Sequence, residues 1–144
     1  MQKRGVTGII FAEKNGKMLF LILHRVLNWS GWEFVKGGVE SSESFEEAVK
    51  REIIEEAGIS EVSVVSGFSK LMHWESGETR YDYKVFLVKT EYTDKIILNE
   101  EMVEHNSFKW SNEEEVLRLL THEDNKRIFK EAIEWLKKDG KEKH

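Results

Sequence analysis

Four residues in the middle of the chain, Arg51, Glu52, Glu55 and Glu56, have the types and spacing for joint chemistry on one stretch of helix. On a wheel of about 100° per residue starting at Phe45, the side chains of Phe45, Ala48, Val49, Ile53 and Ala57 fill one broad apolar sector. Glu52 and Glu56, one turn apart, fall inside that sector, and Glu55 sits at its edge beside Arg51. An ionised carboxylate carried into an apolar interface without a partner costs several kcal/mol, and adjacent carboxylates also repel each other. Protonation, pairing with cationic side chains, or a hard divalent cation among the oxygens would each relieve the conflict. Magnesium suits the last option, since it takes carboxylate oxygens and waters and is often shared with phosphates. Arg51 can reach Glu55 at i,i+4 or Glu47 at i,i−4 and hold a carboxylate in one orientation. The competing reading is a merely solvated Glu-rich helix, and the overlap of carboxylates with the apolar stripe weighs against it.

The elements that must position these groups follow from punctuation and periodicity. Ser44 and Glu47 stand at capping-box spacing and Gly58 lies just past the last turn, which bounds a helix over 44–57. Gly5 to Ala12 and Met18 to Arg25 read as strands joined through the hairpin signal Asn15-Gly16. Trp32 to Lys36 reads as a short strand, and Glu61 to Trp74 and Thr79 to Lys89 as two more around a turn at 75–78. An acidic, irregular segment spans 92–106. A strand at 107–110 and helices over 112–120 and 125–138 complete one α/β domain over residues 1–144.

Composition narrows the class. The 144 residues are 40% hydrophobic and 34% charged, as expected of a globular chain with a well-solvated surface. There is no apolar run of the roughly 20 residues a bilayer span requires, and no secretory pattern at the start, so a cytoplasmic protein without membrane association is expected. Cysteine is absent, which excludes disulfides, a thiolate nucleophile and cysteine zinc sites. The net charge of −5 argues against DNA binding, where affinity rests on neutralising phosphates. A phosphorylated small substrate stays open, because a metal ion can supply positive charge locally.

The segment Gly37 to Ile59, GGVESSESFEEAVKREIIEEAGI, resembles the Nudix box. Gly37, Glu43, Arg51, Glu52, Ile53, Glu55, Glu56, Gly58 and Ile59 match all of its fixed positions, over about a sixth of the chain. The resemblance implies an α/β/α sandwich around a mixed β-sheet, with a box helix whose glutamates bind divalent cations. Carried over by position, Glu52 and Glu56 would be metal ligands, with Glu55 completing the acidic cluster and the backbone carbonyl of Lys36 a further ligand. Arg51 would orient a catalytic glutamate, and Glu43 would support the loop. The ion expected is Mg2+, with Mn2+ as a substitute. A general base is expected at Glu55 or Glu52, and a further acid from a later loop at Glu104, ahead of Glu100 and Glu101.

Two other stretches are similar to the asymmetric diadenosine tetraphosphate hydrolases within that family. They are Trp32-Glu33-Phe34-Val35-Lys36-Gly37-Gly38-Val39-Glu40 and Glu104-His105-Asn106-Ser107-Phe108-Lys109-Trp110. Val35 stands where that subgroup has proline and Gly38 where it often has histidine, which removes one potential phosphate contact. Lys36, a cation beside an acidic site, is a candidate phosphate anchor. Tyr81 and Tyr83 should share one face of their strand, where a ring can stack on a base, while Arg80 or Lys84 meets phosphate. His73, Trp74 and Trp29 are weaker candidates for a pocket border, and His105 for orienting its neighbours. The expected activity is magnesium-dependent hydrolysis of a phosphoanhydride in a nucleoside polyphosphate, foremost diadenosine tetraphosphate to ATP and AMP. The alternative is a nucleoside triphosphate or RNA-end pyrophosphohydrolase. A binding module without turnover fits less well, because every box glutamate is kept.

Overall fold

Strand β1 (Gln2–Lys14) turns at Asn15–Gly16 into β2 (Lys17–Arg25), and both turn residues have positive φ, 53° and 78°. Two consecutive left-handed residues make the tight turn whose twist matches the flanking strands, which is why Asn-Gly marks it. The computed structural model describes residues 1–142, with side-chain surroundings through Lys138. The last two residues of the domain expected over 1–144 lie outside the described residues.

The stretch Trp32 to Lys36, expected as one strand, is divided. β3 (Gly31–Glu33) pairs with β2, β4 (Val35–Gly38) pairs with β1, and buried Phe34 lies between them. The division moves the chain from one partner strand to another, a choice that local propensity does not encode. Helix α1 (Phe45–Ala57) has the expected boundaries. The Glu47 N–H donates to Ser44 Oγ at 3.0 Å, the Ser44 N–H donates to the Glu47 carboxylate at 2.9 Å, and Gly58 stops the helix at φ 71°.

β5 (Val62–Ser76) and β6 (Thr79–Thr90) form a long antiparallel hairpin, β7 (His105–Ser111) pairs with β2, and α2 (Glu113–Leu119) and α3 (Glu123–Glu142) follow. Helix α3 begins two residues before the expected start. Glu123 and Asp124 then occupy its first turn, where carboxylates complement the helix dipole. Its end lies past Gly140, beyond the expected stop at Lys138.

The strand order is β3-β2-β1-β6-β5, with β4 added on β1 and β7 on β2. β1 and β6 run parallel while the other pairs are antiparallel, so the sheet is mixed. Alternation along β1 sorts its side chains into two cores. Val6 and Ile10 join Ala48, Val49, Ile53 and Ala57 of α1, while Ile9 and Phe11 join Phe129, Ala132 and Ile133 of α3. Helices thus cover both faces, giving the α/β/α sandwich that the sequence implied. Each fully buried Ile, Leu or Phe contributes about 1.5–3 kcal/mol, so one core holds α1 against the sheet and the other holds α3. No helix among the described residues is long and apolar enough to cross a membrane.

Candidate active site

Helix α1 approaches β4 closely because Gly37 has no side chain. A Cβ built there would coincide with the carboxylate of Glu52. Farther along, Gly8 of β1 lets Val49 and Ile53 pack directly on the backbone. The box glycine therefore leaves the room in which the Glu52 carboxylate lies against the sheet.

The glutamates divide by depth. Glu56 is 7% exposed at its side chain, Glu52 12% and Glu55 48%. The helical wheel thus placed Glu52 and Glu56 inward, and Glu55 at the rim of the same cavity. Burial, reinforced by neighbouring Glu52, pushes the Glu56 carboxyl well above the usual carboxylate range. Burial also raises Glu52, against the opposing influence of Arg51.

Arg51 ties the cluster together. Its Nε donates to Glu43 at 2.7 Å, one terminal nitrogen donates to Glu52 at 2.8 Å and Glu55 at 3.2 Å, and the other donates to the Gly38 carbonyl at 2.7 Å. Of its two helical reaches, the structure takes Glu55, because Glu47 is committed to the cap. Glu43 also accepts from the Glu40 N–H at 2.9 Å, the loop support expected of it.

No N–H donor among the described residues reaches either buried oxygen of Glu56, and its carboxyl meets that of Glu52, a contact that requires a proton between the two. Glu56, Glu104 and His105 each offer a ligand atom within 4.8 Å of one another. Two buried carboxyls sharing a proton beside a further acid are an environment in which a hard divalent cation can take the proton's place, so the residues present fit such an ion. Glu104 comes from the loop before β7, as expected. Glu101 borders the same cavity, whereas Glu100 lines a separate hollow.

Glu33, on β3, escaped the sequence reading. It is fully buried, takes Arg25 at 3.0 Å and His105 Nε2 at 2.8 Å on one oxygen, and has Lys36 Nζ 3.4 Å from the other. Burial opposes its ionisation, yet His105, Lys36 and Arg25 together hold its carboxyl below the usual range. An acid between two aromatic residues in a strand was the available signal. His105, buried on β7, also places Nδ1 3.7 Å from Glu56, so it links the two carboxylates.

Glu52, Glu55, Glu56, Glu104 and His105 line one side of a cavity of about 1070 Å³. Its other wall is aromatic: Tyr81 stacks on Trp74 at 5.1 Å with planes 5° apart, and Tyr83 lies 4.7 Å from Trp74. Trp29 borders the cavity as well, packed edge-on against His122 at 4.4 Å. Lys36 joins the two sides, its Nζ 5.8 Å from the Trp74 ring.

Three candidates fall elsewhere. Arg80 projects from the face of β6 opposite Tyr81 and Tyr83, pairs with Asp82 at 3.2 Å and does not line the cavity. His73 is bound to Asp82 as well. Lys84 lies over Phe45 at 5.5 Å and does not border the cavity.

Comparison with known proteins agrees with this geometry. The NUDIX domain pattern matches residues 1–132. An RNA pyrophosphohydrolase of a Nitratiruptor species is 29% identical over 136 residues, spanning 86% of this chain and 85% of that protein. The structure of a C. elegans Ap4A hydrolase in a binary complex superimposes with a TM-score of 0.83 at 22% identity, covering 93% of this chain and 97% of that one. A MutT protein from Methanosarcina mazei Go1 superimposes at 0.71 with 27% identity, covering 95% and 96%. With Gly37, Glu52, Glu55 and Glu56 of the box on one cavity and the pattern spanning almost the whole chain, this protein belongs to the Nudix family and is a Nudix hydrolase.

Proposed function

We propose that the chain cleaves a dinucleoside tetraphosphate, of the diadenosine type, into a nucleoside triphosphate and a nucleoside monophosphate. The observation that carries this reading is the meeting, in one cavity, of the buried Glu52–Glu56 carboxyl pair with aromatic rings from two parts of the chain, Trp74, Tyr81 and Tyr83 on the β5–β6 hairpin and Trp29 after β2. A substrate with a base at each end and a polyanion between can use both surfaces. The similarity of the Trp32 to Glu40 and Glu104 to Trp110 stretches to the asymmetric hydrolases supports the same substrate.

Glu52, Glu56, Glu104 and the backbone carbonyl of Lys36 would hold Mg2+. The bound ion would supply charge neutralisation at phosphate oxygens and a more acidic water. Glu55 acts as general base: it is the most exposed of the three helix carboxylates, and Arg51 fixes one of its oxygens. The Lys36 ammonium meets the phosphate chain, and Tyr81 and Tyr83 bind a base. A cytoplasmic address, beside the nucleotide pools, suits this activity.

A second reading, removal of pyrophosphate from the 5′-triphosphate end of RNA, is favoured by the names of the sequence relatives. Hydrolysis in 18O-labelled water with Mg2+, across diadenosine tetraphosphate, nucleoside triphosphates and a 5′-triphosphorylated RNA, separates the two. The proposal expects ATP and AMP from the first substrate at the highest kcat/KM. Pyrophosphate from RNA or triphosphates as the dominant product replaces it with the second reading.

A further inference from the structure

Glu33 lies behind the acidic wall, and two of its partners, Arg25 and His105, also approach carboxylates of that wall. The Arg25 nitrogen that bonds Glu33 at 3.0 Å is also 3.7 Å from Glu104. His105, bonded to Glu33 through Nε2 at 2.8 Å, has its other ring nitrogen 3.7 Å from Glu56. Each thus stands at ion-pair distance from a carboxylate that the reading above assigns to the metal ion, without a hydrogen bond to it. Closing 3.7 Å to the roughly 2.8 Å of a charge-assisted hydrogen bond takes a small side-chain movement.

We propose that Glu33 is a positioning residue that keeps the cation site open, by engaging Arg25 and His105 so that neither closes to a hydrogen bond on Glu104 or Glu56. The inference rests on the assignment of those two acids as metal ligands. Its physical basis is competition among cations. Arg25 is largely buried, and a buried guanidinium that loses its carboxylate seeks another. With Glu33 neutral, Glu104 is the nearest acid to Arg25, and an ion pair between them removes charge that the ion requires. The Nε of Arg25 donates to the Leu27 carbonyl at 2.9 Å, which keeps the guanidinium beside the site in either state.

The test is a double-mutant cycle read by Mn2+ binding, titrated by electron paramagnetic resonance on the full chain without nucleotide. Glu33→Gln should weaken Mn2+ affinity by roughly 10–100-fold, the range for partners that orient metal ligands. Arg25→Gln alone should change it little, because Glu33 already engages Arg25. Arg25→Gln in the Glu33→Gln background should restore most of the loss. Simple long-range electrostatics predicts instead that the two effects add, and an additive cycle overturns the inference. If Glu33→Gln does not fold, Arg25→Gln still decides: marked tightening in that variant means Arg25 already competes in the natural protein, which also overturns it. A natural protein that binds no Mn2+ removes the ligand assignment and this inference together, whereas binding with an additive cycle removes the inference alone.

Discussion

The carboxylate of Glu52 fills the space that a side chain on Gly37 would need. Helix α1 and strand β4 therefore meet at a distance set by glycine on one side and glutamate on the other. Gly37→Ala must push the helix outward or turn Glu52 away from the cavity. Overpacking of this kind costs about 1–3 kcal/mol. We expect a lower Tm together with a loss of turnover larger than the stability change explains, measured by thermal unfolding and steady-state kinetics. A fully active Gly37→Ala protein would show that the close approach is dispensable.

Glu56→Gln removes charge while keeping volume. Turnover with Mg2+ should fall by about 100-fold or more, since the variant removes charge from the proposed ion site. The metal-free variant should be as stable as the natural protein or more so, because an amide is cheaper to bury than a carboxylate. Full activity with Mg2+ would contradict the assignment of Glu56.

The raised pKa of Glu56 has a definite sign for stability. Its carboxyl holds a proton in the folded state at pH values where the unfolded chain has lost it. Metal-free stability from this group is thus present at low pH and declines as pH rises from the ordinary carboxylate value of 4.5 through the raised one. A divalent ion requires the deprotonated form, so the gain in Tm on adding Mg2+ should grow across that same window. Thermal scans in EDTA and in MgCl2 from about pH 5 to about pH 8 test this. A gain independent of pH would mean that Glu56 does not bind the ion.

Tyr81 stacks on Trp74, and the proposed role of the pair is to receive a base. Tyr81→Ala should raise KM several-fold with little change in kcat, in keeping with about 0.5–1.5 kcal/mol for an aromatic pair. Tyr81→Phe, which keeps the ring, should leave KM nearly unchanged. A fall in kcat at constant KM would move Tyr81 from binding to chemistry.

Arg80 points to the other side of β6 and pairs with Asp82. Arg80→Ala should alter transition-state stabilisation by no more than about 0.5 kcal/mol, as for other surface substitutions. A large loss in kcat/KM would return Arg80 to the site.

Much was legible in the chain itself, for reasons of short range. Caps, the Asn15-Gly16 turn and the period of α1 act over a few residues, so they could be read as boundaries and as a face. The conflict between Glu52, Glu56 and their apolar sector was equally local, and it required protonation, cationic side chains or a divalent ion to relieve it before any contact was known. The tyrosine alternation was right about a shared face, and the same rule should have sent Arg80 to the opposite one.

Tertiary structure alone decided what long-range pairing brings together. The split of 31–38 into two strands sets Glu33 beneath His105, 72 residues away, and Gly37 beneath Glu52. Sequence determined which residues carry charge on which face of each element. Which cation each buried carboxylate meets depends on strand partners and helix docking, and those are set by burial of both cores at once, a property of the whole chain.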